Sequence, residues 1–448
     1  MRVVQYVSGE DPFIGFTMVQ PVVRGIQSTG TMANAKHFID NNQEASRGNV
    51  SAVVDERTQH QLYFPPFEGA VKAGVRTIMC SYQRINGVYS CESEATLGYL
   101  KSPAGLNFSG FVMSDWGGTR CMTPPVRAHS PANHQRVVAA ATHSTIASAR
   151  AGLDQDMPGS PPFYSSALKA ATLNGSLPPA FLKEMVKRIL GTMFASGMFD
   201  RAPRPRTIEK NVTSPAHSAL ARKIAAESGV LLKNAAGVLP LRKEQRILVV
   251  GDAAASRAVV QAGGSGAVAP PYIVTPLDGV RAAAGGHVDH LPTADATEEA
   301  VTRARADVVV VCVAVRCFWP DCGEGHDRTN LSLPLEEDAL VARVAKAQST
   351  SGSGKVVVAV VSPGAVLLPW SDSVDGILLQ FLPGQEAGNA LADLLFGRVN
   401  PSGRLHTTLP NIENETQMTP EQCKSAGNLL DFDGAALIRN DCCQTRAW

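Results

Sequence analysis

The chain carries no excess charge of either sign. Its 41 Lys and Arg stand against 40 Asp and Glu, a formal net charge of +1. That balance removes the global electrostatic case for a nucleic-acid or anionic-membrane partner. No uninterrupted apolar stretch is long enough to span a bilayer. The opening Met1-Arg2-Val3-Val4-Gln5-Tyr6 has no signal-peptide pattern. Close Cys-x2-Cys spacing is missing as well. The 9 cysteines are scattered, and Cys312, Cys317 and Cys322 near His326 do not fall at zinc-site intervals, so no metal is expected. Gly263-Gly264-Ser265-Gly266 lacks a following Walker lysine and misses the dinucleotide spacing. It is expected to form a turn near a domain interface. No Gly-x-Ser-x-Gly elbow supports a Ser-His-Asp hydrolase.

What is present is globular: 44% apolar and 18% charged residues, over a length of 448 that suits two or three domains. Asn-x-Ser/Thr sequons at Asn49, Asn107, Asn174, Asn211, Asn330 and Asn414 lean towards a secreted route. Cys80 and Cys91 flank an Asn86-Gly87 turn, a spacing open to a disulfide across a hairpin-like loop.

Residues 1–200 alternate helical patterns with short apolar runs that end in polar tips. Residues 31–38, 76–82 and 111–115 read as buried strands, and 148–153 lead to a fourth strand-like end at 154–157. Residues 55–73 predict an amphipathic helix interrupted near Pro65-Pro66. Strand, polar tip, helix is the rhythm of a parallel α/β barrel, here with about half of its eight units. A Pro/Arg-rich linker spans 201–214. Beyond it, a helix over 219–233 leads to strands at 247–251, 308–314, 356–361 and 376–380, a second α/β layer with a mostly parallel sheet over 215–410. An irregular tail fills 411–448.

The stretch Val112-Met113-Ser114-Asp115-Trp116-Gly117-Gly118 is the most telling. An apolar run ends in a carboxylate, an indole and a glycine turn, which sets Asp115 at the C-terminal mouth of a strand, where barrel enzymes do their chemistry. The alternative is an Asp that caps the next helix. Lys36-His37 lies at another strand tip, with Arg47 a loop away. A cation, an imidazole and a guanidinium on one mouth suit a polyhydroxylated ligand; the alternative for each is a solvated loop. Trp116 offers a face for a sugar ring, or fills a core. Glu324, between Gly323 and Gly325, is a second carboxylate on a glycine-flanked loop, or an ordinary exposed glutamate. Asp327-Arg328 is open to an ion pair that anchors this loop.

Taken in order, these motifs resemble glycoside hydrolase family 3, in its β-glucosidase branch. The resemblance rests on Gly9-Glu10-Asp11-Pro12, on Lys36-His37-Phe38 with Asn42-Gln43-Glu44, and on Met79-Cys80-Ser81-Tyr82 with Asn86-Gly87. It continues through Val112 to Trp116, Ala151-Gly152-Leu153-Asp154 before Met157-Pro158-Gly159, and Glu227 to Asn234. It closes on Gly323-Glu324-Gly325 with Asp327-Arg328, and on Asn400-Pro401-Ser402-Gly403-Arg404-Leu405. It spans roughly residues 2–410. The family pairs a (β/α)8 TIM-like barrel with an α/β sandwich domain and sets its active site between them. The resemblance implies that Asp115 is the nucleophile and Glu324 the acid/base. It implies that Lys36, His37, Arg47, Tyr82, Trp116 and, in an altered setting, Arg2 hold the sugar. The implied reaction is retaining, with two carboxyls about 5–5.5 Å apart, Asp115 kept ionised by donors and Glu324 kept protonated. No cofactor is implied; the partner is a glucoside or small oligosaccharide, and oligomeric state stays open.

Four departures from the family pattern shape the expectations. The chain opens inside the barrel, so the first barrel strands would precede Met1 and the partial barrel would have open edges. Residues 120–142 interrupt the motif after Thr119, as a retained intron or a loop insertion. Residues 315–322 lengthen the segment before Glu324. The tail from about Gln422 lacks the family's continuation. Alternatives kept open are a β-xylosidase or other family exo-glycosidase, and an inactive fragment. A hexosaminidase is disfavoured, because it would not need Glu324.

Overall fold

The structure, a computed structural model, describes residues 10–116, 142–159, 163–202, 211–318, 322–352, 354–413, 415 and 429–432. Arg2, nearly all of the 120–142 insert and most of the tail lie outside the described residues. The chain divides into two compact units at Arg206–Thr207.

In the first unit, Asp11 opens helix α1 (Pro12–Ser28) by accepting the N–H groups of Phe13 and Ile14, with a proline at the first helical position. Strands β1 (Asn34–Phe38) and β2 (Ser51–Val54) follow. The helix predicted over 55–73 is realised as a short α2 (Glu56–Thr58), a wide turn at Gln59–Tyr63, and α3 (Phe64–Lys72). The interruption falls ahead of the prolines. A proline has no N–H and crowds the carbonyl four residues back, and the wide turn, closed by the Phe64 N–H on the Gln59 carbonyl, absorbs this. Next come β3 (Thr77–Cys80) and the hairpin strands β4 (Arg84–Ile85) and β5 (Val88–Tyr89), joined at Asn86-Gly87. Helix α4 (Glu94–Lys101), strand β6 (Phe111–Met113) and helices α5 (Ile146–Ala151), α6 (Ser166–Leu173) and α7 (Pro179–Ala195) complete the unit's main run. A disulfide joins Cys80 to Cys91, Cα to Cα 5.3 Å.

Strands β1, β3 and β6 form one parallel sheet, with Ala35 opposite Ile78 and Ile78 opposite Val112. Phe38, the last residue of β1, is fully buried, stacked on Phe64 and edge-on to Phe67. The fourth strand expected at 154–157 is reduced to a single parallel bridge from Met113 to Gln155. The Asp154 carboxylate takes the Val112 N–H at 2.7 Å, and the N–H groups of Asp154 and Gln155 both bond the Val112 carbonyl. A side chain thus replaces a rung of the ladder, and Pro158, without an N–H, cannot extend it. Lys101 closes on the same carboxylate at 2.6 Å, both side chains largely buried. Asp154→Ala should therefore cost about 3–5 kcal/mol in urea unfolding, because it strands the Lys101 ammonium in the core. Asp154→Asn should recover part of that loss by keeping an acceptor for Val112.

The second unit begins with α8 (Pro215–Glu227), capped by Ser214. The helix predicted to run to 233 stops at Glu227, and Val230–Asn234 form strand β7 instead. At the break Gly229 packs closely on Leu394, where an added Cβ would lie 2.4 Å from the Leu394 Cδ1. The remaining elements are β8 (Ile247–Val250), α9 (Pro276–Ala283), β9 (Val288–Leu291), α10 (Glu298–Arg303), β10 (Val308–Ala314), α11 (Leu335–Ser351), β11 (Lys355–Val361), β12 (Gly376–Gln380) and α12 (Ala387–Leu395). The sheet order is β7-β12-β11-β10-β8-β9, with only β7 antiparallel. Every residue of β10 is buried. Val309, Val311 and Val313 pack in one core with Leu340 and Val344 of α11, and Val308, Val310 and Cys312 pack in another with Val280 of α9 and Leu391 of α12. A sheet covered on both faces accounts for the continuous Val runs.

The tail departs from the irregular reading in one place. Strand β13 (Leu429–Phe432) pairs in parallel with β2 and belongs to the first unit. The architecture is α/β throughout: part of a TIM-like barrel, then an α/β sandwich. Among the described residues no helix is long and apolar enough to cross a membrane.

Candidate active site

Asp115 lies two residues beyond β6 and is 8% exposed. His37, near the end of β1, donates Nε2–H to Asp115 Oδ2 at 3.0 Å. The backbone N–H of Trp116 donates to Oδ1 at 2.7 Å. Burial pushes the Asp115 carboxyl up, but the hydrogen bond and charge of His37, the Trp116 N–H and the charge of Lys36 together outweigh it. The carboxyl is held below its ordinary range, hence ionised.

Around this pair the same sheet end gathers the other expected residues. Tyr82 donates its hydroxyl to the Trp116 carbonyl at 2.8 Å. The Arg47 guanidinium stacks 4.4 Å from the Tyr82 ring centroid and pairs with Glu44 at 2.8 Å. Trp116 is 49% exposed, so its indole is not a core aromatic and presents a face to solvent. The structure thus brings Lys36, His37, Arg47, Tyr82 and Trp116 into one linked set about Asp115. Glu44, the partner that orients Arg47, plays a part the sequence reading did not assign.

Asp40 is a second unassigned member of this loop. It sits two residues past β1 with φ +67°, is 3% exposed, and its Oδ2 has no hydrogen-bond partner among the described residues. Burial pushes its carboxyl up to about 8, with Gln59 pulling weakly the other way. The folded protein therefore keeps a proton on Asp40 that the unfolded chain releases near the ordinary value of about 4. Between those limits the folded state binds more protons, so stability falls as pH rises. Asp40→Asn should remove that slope. Its thermal midpoint should exceed the parent's, by a margin wider at pH 8 than at pH 5.

Glu324 belongs to the second unit. Its Oε2 accepts the N–H of Ser265 at 2.5 Å. Gly323 and His326 exchange two backbone hydrogen bonds, 2.7 and 3.0 Å, which make Glu324-Gly325 the tip of a tight hairpin. Gly323 and Gly325 have φ of +125° and +83°, the region a side chain disfavours. Cys317 and Cys322 form a disulfide just upstream. Arg328 anchors the downstream side through the carbonyls of Ala365 and Ser332, at 2.6 and 3.4 Å, the role expected of an Asp327-Arg328 ion pair. Burial lowers its guanidinium to about 10, with Glu413 opposing. Ser265 was missed as a contributor because it acts through its backbone; the glycines around it were the only signal.

Among the described residues, no cluster of three His, Cys, Asp or Glu side chains is placed to hold a metal ion. What the site offers is an ionised, donor-fed carboxylate beside an exposed indole and several cationic or hydroxylic donors. That arrangement suits covalent attack on a polar, ring-shaped substrate.

Comparison with known proteins agrees across both units. Residues 6–192 match the model of the Glycosyl hydrolase family 3 N terminal domain, and residues 229–436 match that of the Glycosyl hydrolase family 3 C-terminal domain. The probable beta-glucosidase L of Aspergillus terreus is 36% identical over 446 residues, covering 90% of this chain and 56% of its own length. The chain spans about half the length of the curated relatives it matches. Among solved structures, the beta-D-glucoside glucohydrolase of Trichoderma reesei superposes with a TM-score of 0.78 at 33% identity, covering 94% of this chain and 59% of that one. DesR, a beta-glucosidase from Streptomyces venezuelae crystallised with D-glucose, gives 0.78 at 26% identity, over 96% of this chain and 68% of that one.

Proposed function

The chain belongs to glycosyl hydrolase family 3, and from that premise we propose that it is a retaining, exo-acting β-glucosidase. It releases terminal, non-reducing β-D-glucose from β-glucosides and cello-oligosaccharides. The observation that carries this reading is the buried carboxylate of Asp115, held ionised by His37, Lys36 and the Trp116 amide at the end of β6.

In this reading Asp115 attacks the anomeric carbon while Glu324 gives its proton to the departing glycosidic oxygen. The covalent glucosyl-Asp115 ester is then hydrolysed by a water that Glu324 deprotonates, so the same glutamate serves as acid and as base. Lys36, His37, Arg47 and Arg2 donate to sugar hydroxyls, Tyr82 braces the turn that carries Trp116, and the indole face packs on the ring. No cofactor takes part. Passage through an oxidising, glycosylating route fits the two disulfides and the exposure of Asn49, Asn107, Asn174, Asn211 and Asn330.

Comparing nitrophenyl β-glucoside with nitrophenyl β-xyloside tests the substrate. The expected result is a kcat/KM at least about tenfold higher on the glucoside, since a pocket that bonds the extra hydroxymethyl group penalises its absence. Equal rates, or a preference for the xyloside, would overturn the assignment.

A further inference from the structure

Glu324 is held by a closed circuit of bonds. Cys322 lies two residues before it and is joined by its disulfide to Cys317. The Cys317 carbonyl accepts the N–H of Gly263 at 3.0 Å. Two residues on, Ser265 donates its N–H to Glu324 Oε2, which completes the ring. Both cysteines are buried, at 9% and 3% exposure. The disulfide is the covalent segment of this circuit. It closes the ring at a tip whose glycines give little stiffness of their own.

We propose that Cys317–Cys322 is a positioning pair for the proton transfer at Glu324. It fixes the glutamate against the Gly263–Gly266 loop, with Oε2 accepting the Ser265 amide. The proposal rests on the acid/base reading of Glu324. In the first step it predicts a defect confined to leaving groups that need a proton. A dinitrophenolate departs without help, whereas the glucose released from cellobiose does not.

The test compares the parent with Cys317→Ser/Cys322→Ser on cellobiose and on 2,4-dinitrophenyl β-glucoside. It also follows backbone hydrogen exchange at Ser265, Gly323 and His326. The expected result is a fall of about 10- to 100-fold in kcat on cellobiose, part of what a general acid contributes, with the dinitrophenolate burst, which reports the first step alone, within about threefold of the parent rate. The three amides should exchange faster. An equal loss on cellobiose and in the dinitrophenolate burst would make the disulfide merely structural, and unchanged kinetics with unchanged exchange would remove the role altogether; either overturns the proposal. If the double variant folds poorly, the parent can be treated with a dithiol instead, which becomes its cyclic disulfide as Cys317 and Cys322 become thiols; the same amides and the same two substrates are read. Failure of the underlying assignment looks different: Glu324→Ala would then leave the cellobiose rate intact, while the exchange data still decide whether the disulfide holds the loop.

Discussion

Asp115→Asn is expected to reduce kcat on nitrophenyl β-glucoside by roughly 10⁴-fold or more, the scale on which removal of a covalent nucleophile is felt. The substitution is nearly isosteric. An Asn oxygen still accepts the Trp116 N–H, and the neighbouring strands β3 and β6 are untouched, so circular dichroism and the thermal midpoint should change little. The loss is therefore of charge and nucleophilicity rather than of fold. A variant that kept more than about a hundredth of the parent rate would exclude Asp115 as the nucleophile. The pH profile carries a second expectation. Because His37, the Trp116 amide and Lys36 hold the carboxyl below its ordinary range, the acid limb of kcat/KM should fall below about pH 4, the value of a free aspartate. His37→Ala should shift that limb upward, since burial, which acts in the other direction, would remain.

The second large effect is expected at Glu324. Glu324→Ala should lower kcat on cellobiose by about 10²–10⁴-fold, the usual contribution of a general acid. On 2,4-dinitrophenyl β-glucoside the first step should survive and the ester on Asp115 should accumulate, because no base remains to activate water. A burst of dinitrophenolate followed by a slow steady rate would be seen in the stopped-flow, and added azide should restore turnover by forming the β-glucosyl azide. A uniform loss on both substrates, with no burst and no azide effect, would assign Glu324 a structural role.

Much of this could be read from residue order alone, and the failures share a cause. Strands β3, β6 and β10 were legible because β-branched and apolar runs end in polar tips, and Asp115 was legible because such a tip is where a barrel exposes a side chain. The turn between Cys80 and Cys91 left a disulfide open, and the structure forms it. By contrast, the end of α8 and the start of β7 were hidden, because the Leu-Leu-Lys run suits helix and strand alike until the close packing of Gly229 on Leu394 is known. The strand expected at 154–157 failed because Asp154 spends its side chain on the ladder of β6. Asp40 was passed over since a charge among Asn41, Asn42, Gln43 and Glu44 looks solvated, yet it is buried. The glycines around Ser265 mark a turn, but an amide that binds a carboxylate has no signature of its own in a sequence. Ser265 acts through a backbone group and Asp40 through burial, and neither is written in side-chain type.

The Trp116 amide has a consequence for how this site could change over generations. Of the donors that keep Asp115 ionised, His37 and Lys36 belong to side chains that a single codon change can erase. The hydrogen bond from Trp116 belongs to the peptide link itself. Any replacement at 116 retains it except proline, which has no N–H to give. The indole is thus free to drift as the preferred glycoside drifts, while the donor beneath it is passed on unaltered. On the proposed reading Trp116 serves recognition through its side chain and reactivity through its amide, and a non-proline replacement removes only the first.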